Sequence, residues 1–151
     1  MSALKIISGG QTGVDRATLD AALQNGVECG GWCPEGRSAE DGIIPLPHPL
    51  SELKGADYKA RIRQNVIDSD GTLFGGTKQT LRFCLHLKKP YLLIDATELS
   101  PEHTAKQVHQ FITEGSILIL NATGPRASGS ALAYAYTLKV ITCFLKSYLT
   151  M

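Results

Sequence analysis

The sequence predicts an α/β fold with a mainly parallel sheet of about five strands and helices on both faces. Three observations carry this. Short apolar runs of strand length alternate with stretches of helical spacing along the whole chain. The strand-like runs include a buried type without alternation, as parallel strands have. Three of the strand-to-helix joints carry glycine: Gly9-Gly10, Gly75-Gly76 and Gly124-Pro125. With 151 residues, 43% apolar and 19% charged, the chain has the length and composition of one globular domain.

Leu4 to Ser8 is the first strand, a short apolar run that ends in glycines. Val14 to Asn25 is a helix, with Ala17, Ala21 and Ala22 small enough for close packing and Gly26 at the C′ position. Val27 to Cys33 is a second strand, weakened by Gly30 and Gly31. Pro34 to Pro49 reads as an irregular loop, too long for an ordinary connection and for that reason a candidate for function. Tyr58 to Ser69 has helical spacing and puts Arg61 and Asn65 on one face. Thr72 to Phe74 is a short strand, followed by Gly75-Gly76-Thr77 and a helix from Lys78 to about Leu87, with Thr77 as its N-cap. Tyr91 to Ile94 is a strand. Ser100-Pro101 opens a helix that runs to about Thr113. Ile117 to Leu120 is the last strand, and a helix from about Ala131 to Tyr148 completes the chain.

In such a sheet the C-terminal strand ends share one edge, and ligands bind there. The three glycine joints therefore meet at one crevice, where helix N-termini and free amides favour an anion. The first joint, Gly9-Gly10-Gln11-Thr12-Gly13 with Asp15, lacks the Gly-Lys-Ser/Thr of a Walker A loop and matches the dinucleotide fingerprint only in part. Thr12 and Asp15 can cap the helix or reach a ligand. Arg126 adds a bidentate positive charge, with Arg37 and Arg61 as further cations. Asp15, Asp41, Asp68 and Asp70 suit hydroxyls, ring N–H groups or a metal bridged to phosphate rather than a bare anion, and Arg37, Glu40 and Asp41 are the candidate contacts of the long loop. The set fits a nucleotide-like or pterin-like phosphate ester.

A net charge of +1 argues against nucleic acid or an acidic membrane as a bulk partner. Cys29, Cys33, Cys84 and Cys143 show no zinc spacing and read as reduced thiols in the cytoplasm; no permanently bound metal is expected. No signal peptide or membrane span is expected either. No histidine falls on a glycine joint and no nucleophile elbow is present, so no catalytic residue is assigned.

The motifs now assembled resemble the molybdenum carrier proteins, within the Rossmann-like superfamily that includes the cytokinin-activating phosphoribohydrolases (the LOG family). They are Gly9 to Arg16, Gly31-Trp32-Cys33-Pro34 with Gly36-Arg37, and Ala39-Glu40-Asp41-Gly42. Tyr58, Arg61 and Asn65-Val66 follow, then Asp68 to Thr72, Gly75-Gly76-Thr77, and Asn121 with Gly124-Pro125-Arg126. The resemblance implies a Rossmann-like three-layer sandwich. It further implies a cytoplasmic homo-oligomer, a dimer or tetramer, that binds molybdenum cofactor through its phosphate or molybdate. The ligand contacts would be Gly9, Gly10, Gln11, Thr12, Gly13, Asp15, Arg37, Glu40, Asp41, Arg61, Gly75, Gly76, Thr77, Asn121, Gly124, Pro125 and Arg126. The alternatives are an enzyme that cleaves a nucleoside phosphate at its N-glycosidic bond, and a nucleotide-sensing module. The phosphoribohydrolases carry a catalytic glutamate after their glycine motif. Here Gly75-Gly76-Thr77-Lys78-Gln79-Thr80 has no acid at that place.

Overall fold

The computed structural model describes residues 3–55, 57–76 and 78–150. Its main sheet has five parallel strands: β1 (Lys5–Ile7), β2 (Glu28–Gly30), β7 (Gly71–Phe74), β8 (Tyr91–Leu93) and β9 (Ile119–Thr123), in the order β2-β1-β9-β7-β8. The last strand thus lies in the middle, between β1 and β7. The three strands that lead into glycine joints are immediate neighbours.

The helices form two layers. On one face α1 (Val14–Gln24), α4 (Pro101–Gly115) and α5 (Ala133–Leu149) pack together. Leu19, Val108, Ile112, Val140, Ile141 and Phe144 from these helices meet Ile6, Leu73 and Leu120 of the sheet in the main core. On the other face lie α2 (Tyr58–Asp68) and α3 (Lys78–His86). The fold is therefore the expected three-layer α/β sandwich.

Two expectations are corrected. The segment from Val27 to Cys33 is not one strand. It breaks at Gly31 into β2 and β3 (Trp32–Pro34), and β3 leaves the main sheet to pair with β6 (Ser51–Leu53). Gly31 has φ 124°, and a Cβ there would overlap the Ser8 backbone. The chain bends where only glycine fits. The stretch from Pro34 to Pro49 is also less irregular than expected: a 3₁₀ turn at Glu35–Arg37 leads into an antiparallel hairpin, β4 (Ser38–Ala39) with β5 (Gly42–Ile43).

The last strand runs further than its apolar part. It begins at Ile119 beside β1 and continues past Asn121 to Thr123 along β7, which pairs with Ala122 and Thr123. Helix signals at α4 behave as read: Ser100 Oγ accepts from the His103 amide, with Pro101 in the first turn.

Candidate functional site

The ends of β1, β9 and β7 form the edge to which the glycine joints point. Ser8 ties the first joint to the third by donating from Oγ to the Ala122 carbonyl at 2.6 Å. The chain then turns through Gly9 to Gly13. A Cβ at Gly9 would overlap the Arg61 guanidinium, and one at Gly13 would overlap the Pro125 carbonyl. Gly13, at φ 83°, precedes α1 without any side-chain cap. The Val14 amide donates instead to the Pro125 carbonyl at 3.2 Å.

Thr12 and Asp15 do not cap α1. Thr12 Oγ1 donates to Glu40 Oε1 and accepts from the Ala127 amide at 3.0 Å. Asp15 points inward, and Arg61 Nη1 donates to its Oδ2 at 3.2 Å. Each side chain of this pair is only 2% exposed. Burial pushes the Asp15 carboxyl up from its ordinary value. The Arg61 charge pulls it back, and so do the Gln11 and Gly124 amides. Among the described residues Asp15 Oδ1 and Arg61 Nε have no hydrogen-bond partner. The glycine loop thus holds an anion that the chain itself supplies.

The expected loop contacts are also turned toward protein. Arg37, at φ 54°, donates to the carbonyls of Ile44, Pro45, His48 and Leu50. The Glu40 carboxylate accepts from the Ser128 hydroxyl at 2.6 Å and the Ser128 amide at 3.1 Å, besides Thr12. These hydroxyls, Ser128 first, hold its carboxyl below the ordinary value. Gln11 Oε1 accepts from the amides of Thr12 and Glu40 at 3.0 and 2.9 Å. Asp41 pairs with Arg16 through both guanidinium nitrogens at 2.9 and 3.1 Å, and this hydrogen-bonded cation lowers its carboxyl. Arg16 Nε reaches the Gly10 carbonyl at 3.0 Å. Arg16 lies outside the expected contacts, and its place in the first turn of α1 is the only signal for it in the sequence.

A second clasp lies beside this one. His48 Nε2 meets Asp20 Oδ1 at 2.6 Å, and Tyr134 of α5 donates to Asp20 Oδ2 at 2.5 Å. Burial, then the Asp20 acceptor, pushes the Tyr134 phenol up to about 12.

The other two joints are packed on each other and more open to solvent. Gly75 lies against the Pro125 ring and Gly124 against Val14, each at a distance no Cβ would allow. Gly76 is exposed, at φ 94°. Thr77, expected as an N-cap and ligand contact, lies outside the described residues. Asn121 does not reach the edge: it is buried within β9, donating to Thr72 Oγ1 at 3.3 Å. Asp68 accepts from the Trp32 indole, and Asp70 from the Leu118 and Ile119 amides.

Arg126 differs from Arg16, Arg37 and Arg61. It is exposed, and its guanidinium makes no hydrogen bond or ion pair among the described residues. Its guanidinium carbon stands 5.0 Å from the centre of the Tyr58 ring, which Arg61 also approaches at 4.4 Å. A cleft of about 370 Å³ opens along the second and third joints, bounded by Gly75, Gly76, Pro125, Asp95 and Tyr136 among others. Sequence reasoning missed Asp95 and Tyr136, although Asp95 closely follows a strand end, as the glycine joints do. Among the described residues no group of three or more His, Cys, Asp or Glu could hold a metal ion, and no helix is long and apolar enough to cross a membrane.

Over residues 6–145 the sequence matches the family described as the circularly permutated YpsA SLOG family. The chain belongs to this family. Its fold is also that of a crystal structure from Syntrophus aciditrophicus SB named "Putative molybdenum carrier protein". The two agree with a TM-score of 0.91 and 40% sequence identity, over 95% of this chain and 96% of that one. No curated protein matches the chain.

Proposed function

We propose that this SLOG-family chain binds a small phosphate- or oxyanion-bearing ligand at the shared end of β1, β9 and β7, as a carrier of molybdenum cofactor or a close analogue. The observation that carries the reading is Arg126, an exposed cation of the third joint that makes no hydrogen bond or ion pair among the described residues and acts on Glu40 only through its field. Arg16, Arg37 and Arg61 already spend their guanidinium groups on the fold. The Gly75 amide already donates to the Thr123 carbonyl at 3.1 Å, so of that joint an arriving anion would meet the exposed Gly76. The name of the crystal-structure relative supports molybdenum cofactor as the ligand.

Binding rather than cleavage is favoured by the state of the carboxylates. Asp15, Glu40 and Asp41 are each engaged by neighbouring cations, hydroxyls or amides, so none stands ready as an acid or base. The buried free cysteines support a reducing compartment, the cytoplasm. Exposed Leu85, Tyr91 and Leu93, near or on the edge strand β8, support a homo-oligomer.

Native mass spectrometry with elemental analysis of the purified protein is the direct test: a pterin-sized adduct containing molybdenum is expected. Arg126→Ala should weaken phosphate or molybdate binding by about 1.5–3 kcal/mol, the range for hydrogen bonds to charged groups. Unchanged anion affinity in that variant would overturn the reading, as would release of free base from nucleoside monophosphates.

A further inference from the structure

Donors of the first and third joints converge on one carboxylate, that of Glu40. The Thr12 hydroxyl donates to Oε1, as does the Ser128 amide at 3.1 Å, and the Ser128 hydroxyl donates to Oε2 at 2.6 Å. These donors are aimed by contacts that do not involve Glu40. The Ala127 amide donates to the Thr12 hydroxyl oxygen at 3.0 Å, which turns the hydroxyl proton the other way. Ser128 sits in a turn closed by the Gly129 and Ser130 amides, which donate to the Arg126 carbonyl at 2.9 and 3.1 Å. Arg126 acts on the same carboxylate through its field. The carboxylate itself arrives from a separate element and is exposed. Its hairpin has other ties to the first joint: the Glu40 amide on Gln11 Oε1 at 2.9 Å, and the Asp41 pair with Arg16.

We propose that Thr12, Ser128 and Arg126 form a subsite for a tetrahedral oxyanion, and that Glu40 fills it in the ligand-free protein as a built-in competitor. The proposal rests on the anion-binding reading given above and reverses the expected role of Glu40. It is the group that the ligand displaces, not a contact to the ligand. An amide, two hydroxyls and a guanidinium are as good a donor set for phosphate or molybdate as for a carboxylate. The exchange of one anion for another keeps the Thr12 and Ser128 donors satisfied, and it needs only side-chain rotation at Glu40, which leaves its hydrogen-bonded backbone in place. The incoming group also gains what Glu40 lacks. Glu40 spans Thr12 and Ser128 with its two oxygens and forms no ion pair with Arg126. A tetrahedral anion has further oxygens to offer that guanidinium. Apparent affinity is then the intrinsic affinity reduced by the fraction of time the subsite stands free.

Equilibrium titration of the intact protein with orthophosphate and, separately, with molybdate tests it, at fixed pH and ionic strength. Glu40→Gln keeps the size of the side chain and removes its charge. It should raise the affinity for both anions about tenfold, the factor for a subsite released from about nine-tenths occupancy. The anion bound more tightly identifies which group of the ligand lies here. Ser128→Ala gives the second reading. In the wild type it takes the same hydroxyl from Glu40 and from the incoming anion, so affinity should stay within about twofold. In the Glu40→Gln background only the incoming anion loses that hydroxyl, and binding should weaken about tenfold. A mere change in surface charge at Glu40 would not make the Ser128→Ala effect depend on the background. Unchanged or weaker binding in Glu40→Gln overturns the proposal, as does an equal Ser128→Ala loss in both backgrounds. If Arg126→Ala still weakens binding in that event, the anion-binding reading survives. If neither anion binds the wild type or Glu40→Gln, both fall.

Discussion

Asp15 and Arg61 are 46 residues apart, and each is almost wholly removed from water. Taking two charges out of water is costly, and the pair is sustained only because each side chain is fixed by the other and by its surroundings. Gly9 is part of that arrangement, since its missing side chain leaves the space the guanidinium fills. Removing one partner strands the other charge. Arg61→Met should destabilise the protein by about 3–5 kcal/mol in denaturant unfolding, and Arg61→Met combined with Asp15→Asn should recover part of the loss. A double variant that loses the sum of the two single losses would show that the two side chains act independently. The chemical types at these positions were legible in the sequence, but their direction was not. An arginine and an aspartate near a glycine loop read equally well as ligand contacts or as partners of each other. Only the three-dimensional neighbourhood of Gly9 decides between them.

At the scale of elements, the β4–β5 hairpin is strapped to the first and third glycine joints by two carboxylates. Glu40 holds Thr12 and Ser128, and Asp41 holds Arg16. Both carboxyls lie below their ordinary values of 4.5 and 3.8 in the folded protein. A carboxyl depressed by folding contributes its stability in full above its unfolded value and loses it as pH falls through the lower folded value. The hairpin should therefore be firmly held at neutral pH and loosen as pH drops below 3.8. Amide exchange in Ser38–Ile43 and at Ser128 measures this. Glu40→Gln with Asp41→Asn should give neutral-pH exchange there close to that of the wild type in acid. The hairpin itself was hard to see beforehand. Its strands are two residues each, too short for any alternation of apolar and polar positions to register. The helices, by contrast, matched their sequence bounds to within a few residues, because apolar spacing and capping residues are local signals.

Across the whole molecule, the sheet order was the part the sequence concealed. Five apolar runs could be counted, but the insertion of the last between the first and third depends on pairings that span more than a hundred residues. That insertion gathers the three glycine joints on adjacent strands, which the shared edge alone did not require. It also ranks the strands. β1, β9 and β7 have neighbours on both sides, while β2 and β8 are edges. Native-state hydrogen exchange should find the slowest amides in β1, β9 and β7, with β8 opening at lower free energy. Protection of β8 equal to that of β9 in the monomer would contradict this order.

The central place of β9 matters for a chain emerging from the ribosome. Until residues 119–123 are available, β1 and β7 have no common neighbour, and the sheet remains two separate halves. The ligand edge cannot assemble on a nascent fragment that stops short of this strand. Under the function proposed above, ligand is taken up only after synthesis has passed this strand, and a chain truncated before it does not bind.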